Sequence, residues 1–225
     1  MIKQNVAASI VNAPANAPTV AGSALATLYG SFRKLKAGER DLLREHLLRL
    51  TPDDRCLRFC SVVGSEHIEH YCARSDDRHR IIVGYFWGGV VRGAGEIVFF
   101  ARPAWRGTCE IALSVEQPYQ RCGVGAELLR RLLVIARNRG VAHVRMLCVR
   151  DNRRMQRLAR KFDANLRFVG SEVEGTLYPR GPSTASLLEE SWHDGAAVLA
   201  FVFGLRHPTE LPVRKAHSED VNSVT

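Results

Sequence analysis

The residues best placed to do chemistry fall in the stretch 109–126, CEIALSVEQPYQRCGVGA. An alternating, strand-like pattern runs into a short loop, Gln120-Arg121-Cys122-Gly123-Val124-Gly125, and the loop runs straight into a helical pattern. The first amides of a helix have no intrahelical partner, and the helix dipole adds partial positive charge there. Glycines let the backbone approach a ligand with no Cβ in the way. The combination is a cradle for a pyrophosphate. An ordinary tight turn can carry the same two glycines. The loop has neither the Lys-Ser/Thr of a Walker loop nor the third glycine of a dinucleotide fingerprint. Arg121 inside the loop, with Arg130 and Arg131 on the helix behind it, favours phosphate over a plain turn.

Acid–base chemistry has one leading candidate. Glu110 sits among apolar neighbours on the strand that leads to the cradle. Burial there would raise its pKa toward the range useful to a general base. A strand-end salt bridge is the other reading of the same residue. Glu96, in Gly95-Glu96-Ile97, is the rival base, and Glu116 reads as solvated. Cys122, at a helix N-terminus, is expected to have a lowered thiol pKa, but no base partner is evident for it. Cys56, Cys60, His67, His70 and Cys72 lie close together, yet their spacing matches no metal-ligand pattern. They read as core thiols and surface histidines, and no metal is expected.

The elements that must position these groups follow from pattern. Ser31–Lys36 reads as a first strand. Glu39–Leu50 reads as a helix with leucines on one face. Thr51 caps a second helix that has Pro52 at its first position, and Ser65–Ala73 is a third. Arg80–Trp87 and Val90–Phe100 form a hairpin around Gly88-Gly89. Gly107–Val115 is a further strand, with Ile111, Leu113 and Val115 on one face and Glu110, Ala112 and Ser114 on the other. The helix after the loop extends to Arg139, and Gly140 ends it. His143–Val149 is a strand, and Asp151-Asn152 caps a helix through about Lys161. Leu166–Val173 and Ala196–Phe203 are expected to close the sheet. Early hairpins followed by strands alternating with helices make an α/β order.

At 225 residues and 46% hydrophobic content the chain suits one domain with appendages. That domain is expected over 29–206. Residues 1–28 read as a flexible leader, since Asn12, Pro14, Asn16 and Pro18 break any secretory signal, and 207–225 as a polar tail. No apolar run approaches the ~20 residues of a membrane helix. Six cysteines without a CxxC pair point to reduced thiols and a cytoplasmic location. The formal charge of +9 can attract nucleic acid, membrane lipids or a small polyanion, or serve general solubility.

Val115, Pro118, Tyr119 and Gln120-Arg121-Cys122-Gly123-Val124-Gly125 resemble the acetyl-CoA signature of the GNAT superfamily of N-acetyltransferases. The following helix, the strand His143–Val149 and Asn152-Arg153-Arg154-Met155 occur in that family's order. Within it the chain is most similar to bacterial protein lysine acetyltransferases that modify acyl-CoA synthetases. The pieces are Leu50-Thr51-Pro52 through Arg58-Phe59, Asp77-Arg78-His79, Glu110-Ile111-Ala112, and Asn152-Arg153-Arg154-Met155 through Leu158-Ala159-Arg160.

The resemblance implies a central mixed, mostly antiparallel sheet flanked by helices. Its strands 107–115 and 143–149 would part to admit acetyl-CoA. Backbone amides of Arg121, Cys122, Gly123, Val124, Gly125 and Ala126 would hold the pyrophosphate. The edge Leu113–Val115 would pair with the pantetheine arm, and Asn152 would hydrogen-bond it. The acceptor amine, with an unperturbed pKa of about 10.4, would attack directly with Glu110 as base. The acceptor implied is a protein lysine. A small-molecule amine is the alternative, as is an acyl-CoA-binding regulatory domain without turnover. The arginine-rich helix with Arg153, Arg154, Arg157, Arg160 and Lys161 would face adenosine phosphates, an acidic partner or solvent. No nucleic-acid module accompanies it. Ala159 stands where many relatives carry a tyrosine that protonates the leaving thiolate, and Asp163-Ala164 replaces the usual Gly-Phe.

Overall fold

The computed structural model describes residues 30–73, 79–100 and 107–202, with backbone alone for 196–202. Strand β1 (Ser31–Lys34) leads through a short 3₁₀ turn to helices α1 (Arg40–Arg49), α2 (Pro52–Phe59) and α3 (Ser65–Ala73). Strands β2 (Arg80–Trp87), β3 (Val90–Phe99) and β4 (Thr108–Val115) follow. Then come α4 (Val124–Asn138), β5 (His143–Val149), α5 (Arg153–Lys161), β6 (Asn165–Val169), β7 (Glu172–Leu177) and α6 (Thr184–Val202). The strands form one seven-stranded sheet in the order β1-β2-β3-β4-β5-β7-β6. Every neighbouring pair is antiparallel except β4 and β5, which run parallel.

Local chemistry explains the joints. Gly88 and Gly89 both take positive φ, 58° and 79°, as the tight β2–β3 turn requires. The Thr51 hydroxyl accepts from Asp54 N–H at 3.2 Å and starts α2, with Pro52 needing no donor. The apolar face of α4, with Leu128, Leu129, Leu132, Ile135 and Ala136, packs on Val83, Tyr85, Ile97, Ile111 and Met146. The opposite sheet face carries Ile82 and Ala94, which meet Leu43, Leu47, Leu50, Ile68 and Cys72 of the α1–α3 layer. Strand alternation therefore sends Cys109 and Ile111 toward α4, and Glu110, Ala112 and Ser114 toward α1–α3.

Two expected closing strands are corrected. Residues 166–173 are not one strand: β6 and β7 form a hairpin that turns at Gly170, where φ is 57°. Residues 196–202 belong to α6. A short apolar run fits a buried strand and a helix equally, and the preceding residues from Thr184 supply the length that selects a helix. The expected leader 1–28 and tail 207–225 lie outside the described residues, as do both ends of the expected domain 29–206. No helix among the described residues is long and apolar enough to cross a membrane.

The layer between the sheet and α1–α3 encloses an ion cluster. Glu96 of β3 is buried, and its carboxylate accepts from Arg58, from Arg80 Nε at 2.8 Å and from the Tyr71 hydroxyl at 2.9 Å. Burial pushes its carboxyl pKa up, but the two guanidiniums outweigh this and hold it below the usual range. Removing the carboxylate would leave two buried cations without a counter-charge. Glu96→Ala is expected to lose about 3–5 kcal/mol of folding stability in urea titration at neutral pH, more than a methylene deletion would explain.

Candidate active site

The single parallel pair is where the sheet opens. β4 and β5 pair only from Thr108 to Glu110 against His143 to Arg145. Beyond that point β5 continues on β7 alone, while β4 continues on β3 alone. This is the parting expected between 107–115 and 143–149. At the closed end, Gly107 O accepts from both Ala142 N–H (2.6 Å) and His143 N–H (3.0 Å). Glu116 N–H donates back to Arg92 O on the β3 side, so by alternation the backbone groups of Leu113 and Val115 face the gap.

A cleft of about 400 Å³ occupies this gap. Leu113, Ser114 and Val115 form one wall, α2 contributes Leu57 and Arg58, and α5 contributes Met155 and Leu158. The loop before α4 supplies Arg121, Gly123, Gly125 and Ala126. Arg121 and Gly123 both have positive φ, 59° and 82°, which turns the chain sharply into the first turn of α4. A Cβ built on Gly125 meets only Leu158 Cδ2, at 3.8 Å, so the space over that backbone is open to the cleft. Cys122 and Val124 instead bury their side chains beneath the loop, leaving only backbone to offer a ligand. Burial pushes the Cys122 thiol pKa up, which corrects the lowering expected from its place before a helix.

Gln120 ties the cleft mouth together. Its amide NH₂ donates to Val115 O (2.8 Å) and Asp54 Oδ1 (3.1 Å), and its carbonyl accepts from Arg154. Asn152 caps α5 by accepting from Met155 N–H at 3.0 Å, so its NH₂ is the group available to the cleft it lines. Arg58, Arg121, Arg154, Arg157 and Lys161 line the cleft against the single acid Asp54. That balance, with bare amides at a helix start, suits a polyanion attached to an extended arm.

The three carboxylates singled out in the sequence occupy different settings. Glu110 is half-buried at the last paired position, in register with Val98 and Arg145. It stands where the strands part and is not among the residues that line the cleft. Glu96 is committed to Arg58 and Arg80, which leaves it poorly suited as a base. Glu116 is not solvated: it is buried against His46, Arg49 Nε (2.9 Å) and Arg92 Nη1 (3.0 Å). Burial acts against its charge, but His46 and Arg49 hold its pKa below the usual range. Sequence reasoning missed His46, whose fully buried ring joins Glu116 to Ser114. Its position on the leucine face of α1 was the available signal. Tyr119 packs inward against Tyr85 and Trp87. Ala159 is buried. No group of three or more His, Cys, Asp or Glu residues among those described is arranged to hold a metal.

The α/β sheet thus parts beside a helix start and leaves a cleft open to an extended ligand. The model of the Acetyltransferase (GNAT) family matches residues 44–164, so the chain belongs to the GNAT acetyltransferases, a family that binds acetyl-CoA. Among solved structures it is similar to the GNAT domain of S. lividans PAT, with TM-score 0.57 and 16% identity over 65% of this chain and 89% of that one. It is also similar to PaiA N-acetyltransferase from Thermoplasma acidophilum in complex with coenzyme A (TM-score 0.51, 18% identity, 66% and 98% covered). A third is the ribosomal-protein-S18-alanine N-acetyltransferase from Escherichia coli (TM-score 0.53, 12% identity, 69% and 97% covered). At these identities the likeness establishes the fold. No curated protein matches the chain.

The buried His46 makes stability pH-dependent. Burial pushes its pKa below the ordinary 6.5, Glu116 opposes this, and Arg49 reinforces it. The unfolded chain therefore takes up a proton near pH 6.5 that the folded state refuses until lower pH. The contribution is fully present above pH 6.5 and declines as the pH falls, by up to about 1.4 kcal/mol per pH unit. His46→Gln is expected to be less stable than wild type at pH 7.5. It should then lose less of its remaining stability on acidification through this window, as read by urea midpoints at successive pH values.

Proposed function

We propose that this chain transfers an acetyl group from acetyl-CoA to an amine in the cytoplasm, with a protein lysine as acceptor. The observation that carries the reading is the parting of β4 and β5 directly in front of the α4 start. The pyrophosphate would lie on the amides of Arg121 through Ala126, with Cys122 and Val124 contributing backbone only. The pantetheine arm would pair with the gap-facing groups of Leu113 and Val115 as an added strand. Asn152 would donate to it through its NH₂. Glu110, at the point of parting and outside the cleft lining, would take through a water the proton that an ammonium must lose before it attacks the thioester carbonyl. The lysine acceptor rests on the short likenesses around Leu50-Thr51-Pro52 and Asn152-Arg153-Arg154-Met155.

A second reading, an acyl-CoA-binding regulatory domain, is favoured by one observation: Glu110 does not line the cleft. Turnover separates the two. Glu110→Gln is expected to lower kcat by about a hundredfold or more with acetyl-CoA affinity unchanged. Tight acetyl-CoA binding by the wild type without turnover of any amine would establish the regulatory reading instead. Acetylated peptides compared by mass spectrometry between cells with and without the protein would identify a protein acceptor. An unchanged profile would point to small amines.

The cradle is tested by binding. Gly125→Val places a branched Cβ in the open space above the loop and is expected to abolish acetyl-CoA binding in calorimetric titration. Circular dichroism should show a folded domain that has lost about 1–2 kcal/mol. Arg121→Ala should weaken binding less, because the backbone donors remain, and should reduce its salt dependence. Wild-type affinity in a folded Gly125→Val protein would reduce the loop to an ordinary turn.

A further inference from the structure

Ser114 stands on the stretch of β4 that has left β5, and it lines the cleft. His46 Nε2 lies 2.9 Å from its Oγ, and His46 Nδ1 lies 3.2 Å from Glu116 Oε1. Arg49 and Arg92 both donate to Glu116, which keeps it a carboxylate that can only accept hydrogen bonds. Nδ1 must therefore carry the ring hydrogen, which leaves Nε2 as a bare acceptor. The Ser114 hydroxyl donates to it, and lone pairs of the Ser114 oxygen remain for the cleft. A hydroxyl on the cleft wall, an oriented imidazole behind it and a carboxylate behind that form a hydrogen-bonded chain of the kind that can pass a proton.

Acetyl transfer to an ammonium frees two protons from the nitrogen. One leaves before attack. The other leaves after the C–N bond has formed, as the C–S bond breaks and the thiolate departs. Ala159, in the position where the resemblance implies a tyrosine acid, has only a methyl group and is buried near Gly175. No tyrosine is among the described residues that line the cleft. We propose that Ser114 and His46 carry the second proton from the attacking nitrogen to the leaving sulfur. Ser114 Oγ takes the N–H proton as its own passes to His46 Nε2, and the same path in reverse protonates the thiolate. The C–N bond forms, the C–S bond breaks, the proton ends on the coenzyme thiol, and Ser114 and His46 return to their starting states. The proposal rests on the transferase reading above.

The surroundings of His46 fit a carrier. Burial and Arg49 disfavour the imidazolium, while Glu116 and, further off, Glu96 favour it; Arg92 acts through Glu116. The ring is neutral at rest and can accept a proton. As an imidazolium more acidic than usual, it surrenders that proton readily to a thiolate, since even an ordinary cysteine thiol has a pKa of about 8.5.

Steady-state kinetics of the full chain with acetyl-CoA test this, using a lysine peptide as acceptor, or spermidine where the peptide is not acetylated. Ser114→Ala is expected to lower kcat about a hundredfold while calorimetric acetyl-CoA affinity and KM stay within about twofold. Ser114→Thr, which keeps the hydroxyl, should recover part of the rate. The wild-type kcat should show a normal solvent isotope effect that shrinks in Ser114→Ala. It should also show an acid limb below the ordinary histidine pKa that Ser114→Ala loses and Glu110→Gln keeps. A Ser114→Ala enzyme with normal acetyl-CoA binding and wild-type kcat overturns the relay and leaves the transferase reading standing. A loss confined to acetyl-CoA affinity also overturns it, because a purely structural side chain would give that result. Should Ser114→Ala fail to fold, absence of the isotope effect in wild type overturns it. A wild type that acetylates no amine, while binding acetyl-CoA, overturns relay and transferase reading together.

Discussion

The structure depends on a hydrogen-bond ladder that stops early. Parallel strands in a covered sheet normally satisfy their backbone groups against each other, because unpaired groups cost free energy when buried. Here β4 and β5 share three register pairs and then separate, although both strands continue. Each is supported from its other side, β4 by seven register pairs with β3 and β5 by six with β7. The gap therefore costs ladder bonds without costing either strand its order. The outward backbone of Leu113 and Val115 becomes an edge that an extended ligand can complete.

Keeping that edge in place falls to charges outside the gap. Glu116 follows β4 directly, and its carboxylate draws Arg49 of α1 and Arg92 of β3 onto the strand end. Gln120 then binds Val115 O, Asp54 of α2 and Arg154 of α5. The loop is thus fixed to the strand before it and to helices on both sides of the cleft. Val124, buried under the loop, anchors the start of α4 from below. The amides of the first turn are presented by a loop in which Cys122 and Val124 turn their side chains away from the ligand space.

How much of this was legible in the sequence follows from the range of the interactions. The cradle was legible because its signals are local: Gly123 takes a positive φ, and Gly125 leaves open space above its backbone. The β2–β3 hairpin and the Thr51 and Asn152 caps were legible for the same reason. The parting of β4 and β5 came through the family resemblance, since no local pattern marks where a ladder ends. Long-range pairs were not legible. His46 and Glu116 are seventy positions apart, and Glu96 meets Arg58 across thirty-eight. Nothing near Glu116 indicates that two arginines and a histidine converge on it. The final apolar run was misread because its length, and not its composition, decided between strand and helix.

Glu96, Glu110, and Glu116 just past the end of β4, show how one sheet layer separates structural carboxylates from a catalytic candidate. Glu96 is buried against two guanidiniums, so its charge is held and its oxygens are occupied. Glu116 also has two guanidiniums, but one of its oxygens reaches an imidazole, so its charge orients a ring that can itself exchange a proton. No ion pair of Glu110 is seen among the described residues, and Arg145, its register partner, donates to Glu174 at 2.6 Å. A carboxylate held by cations is a weak base because its proton affinity is already spent on them. Glu110 is the one of the three with no described cation on its carboxylate, and it stands where the strands part.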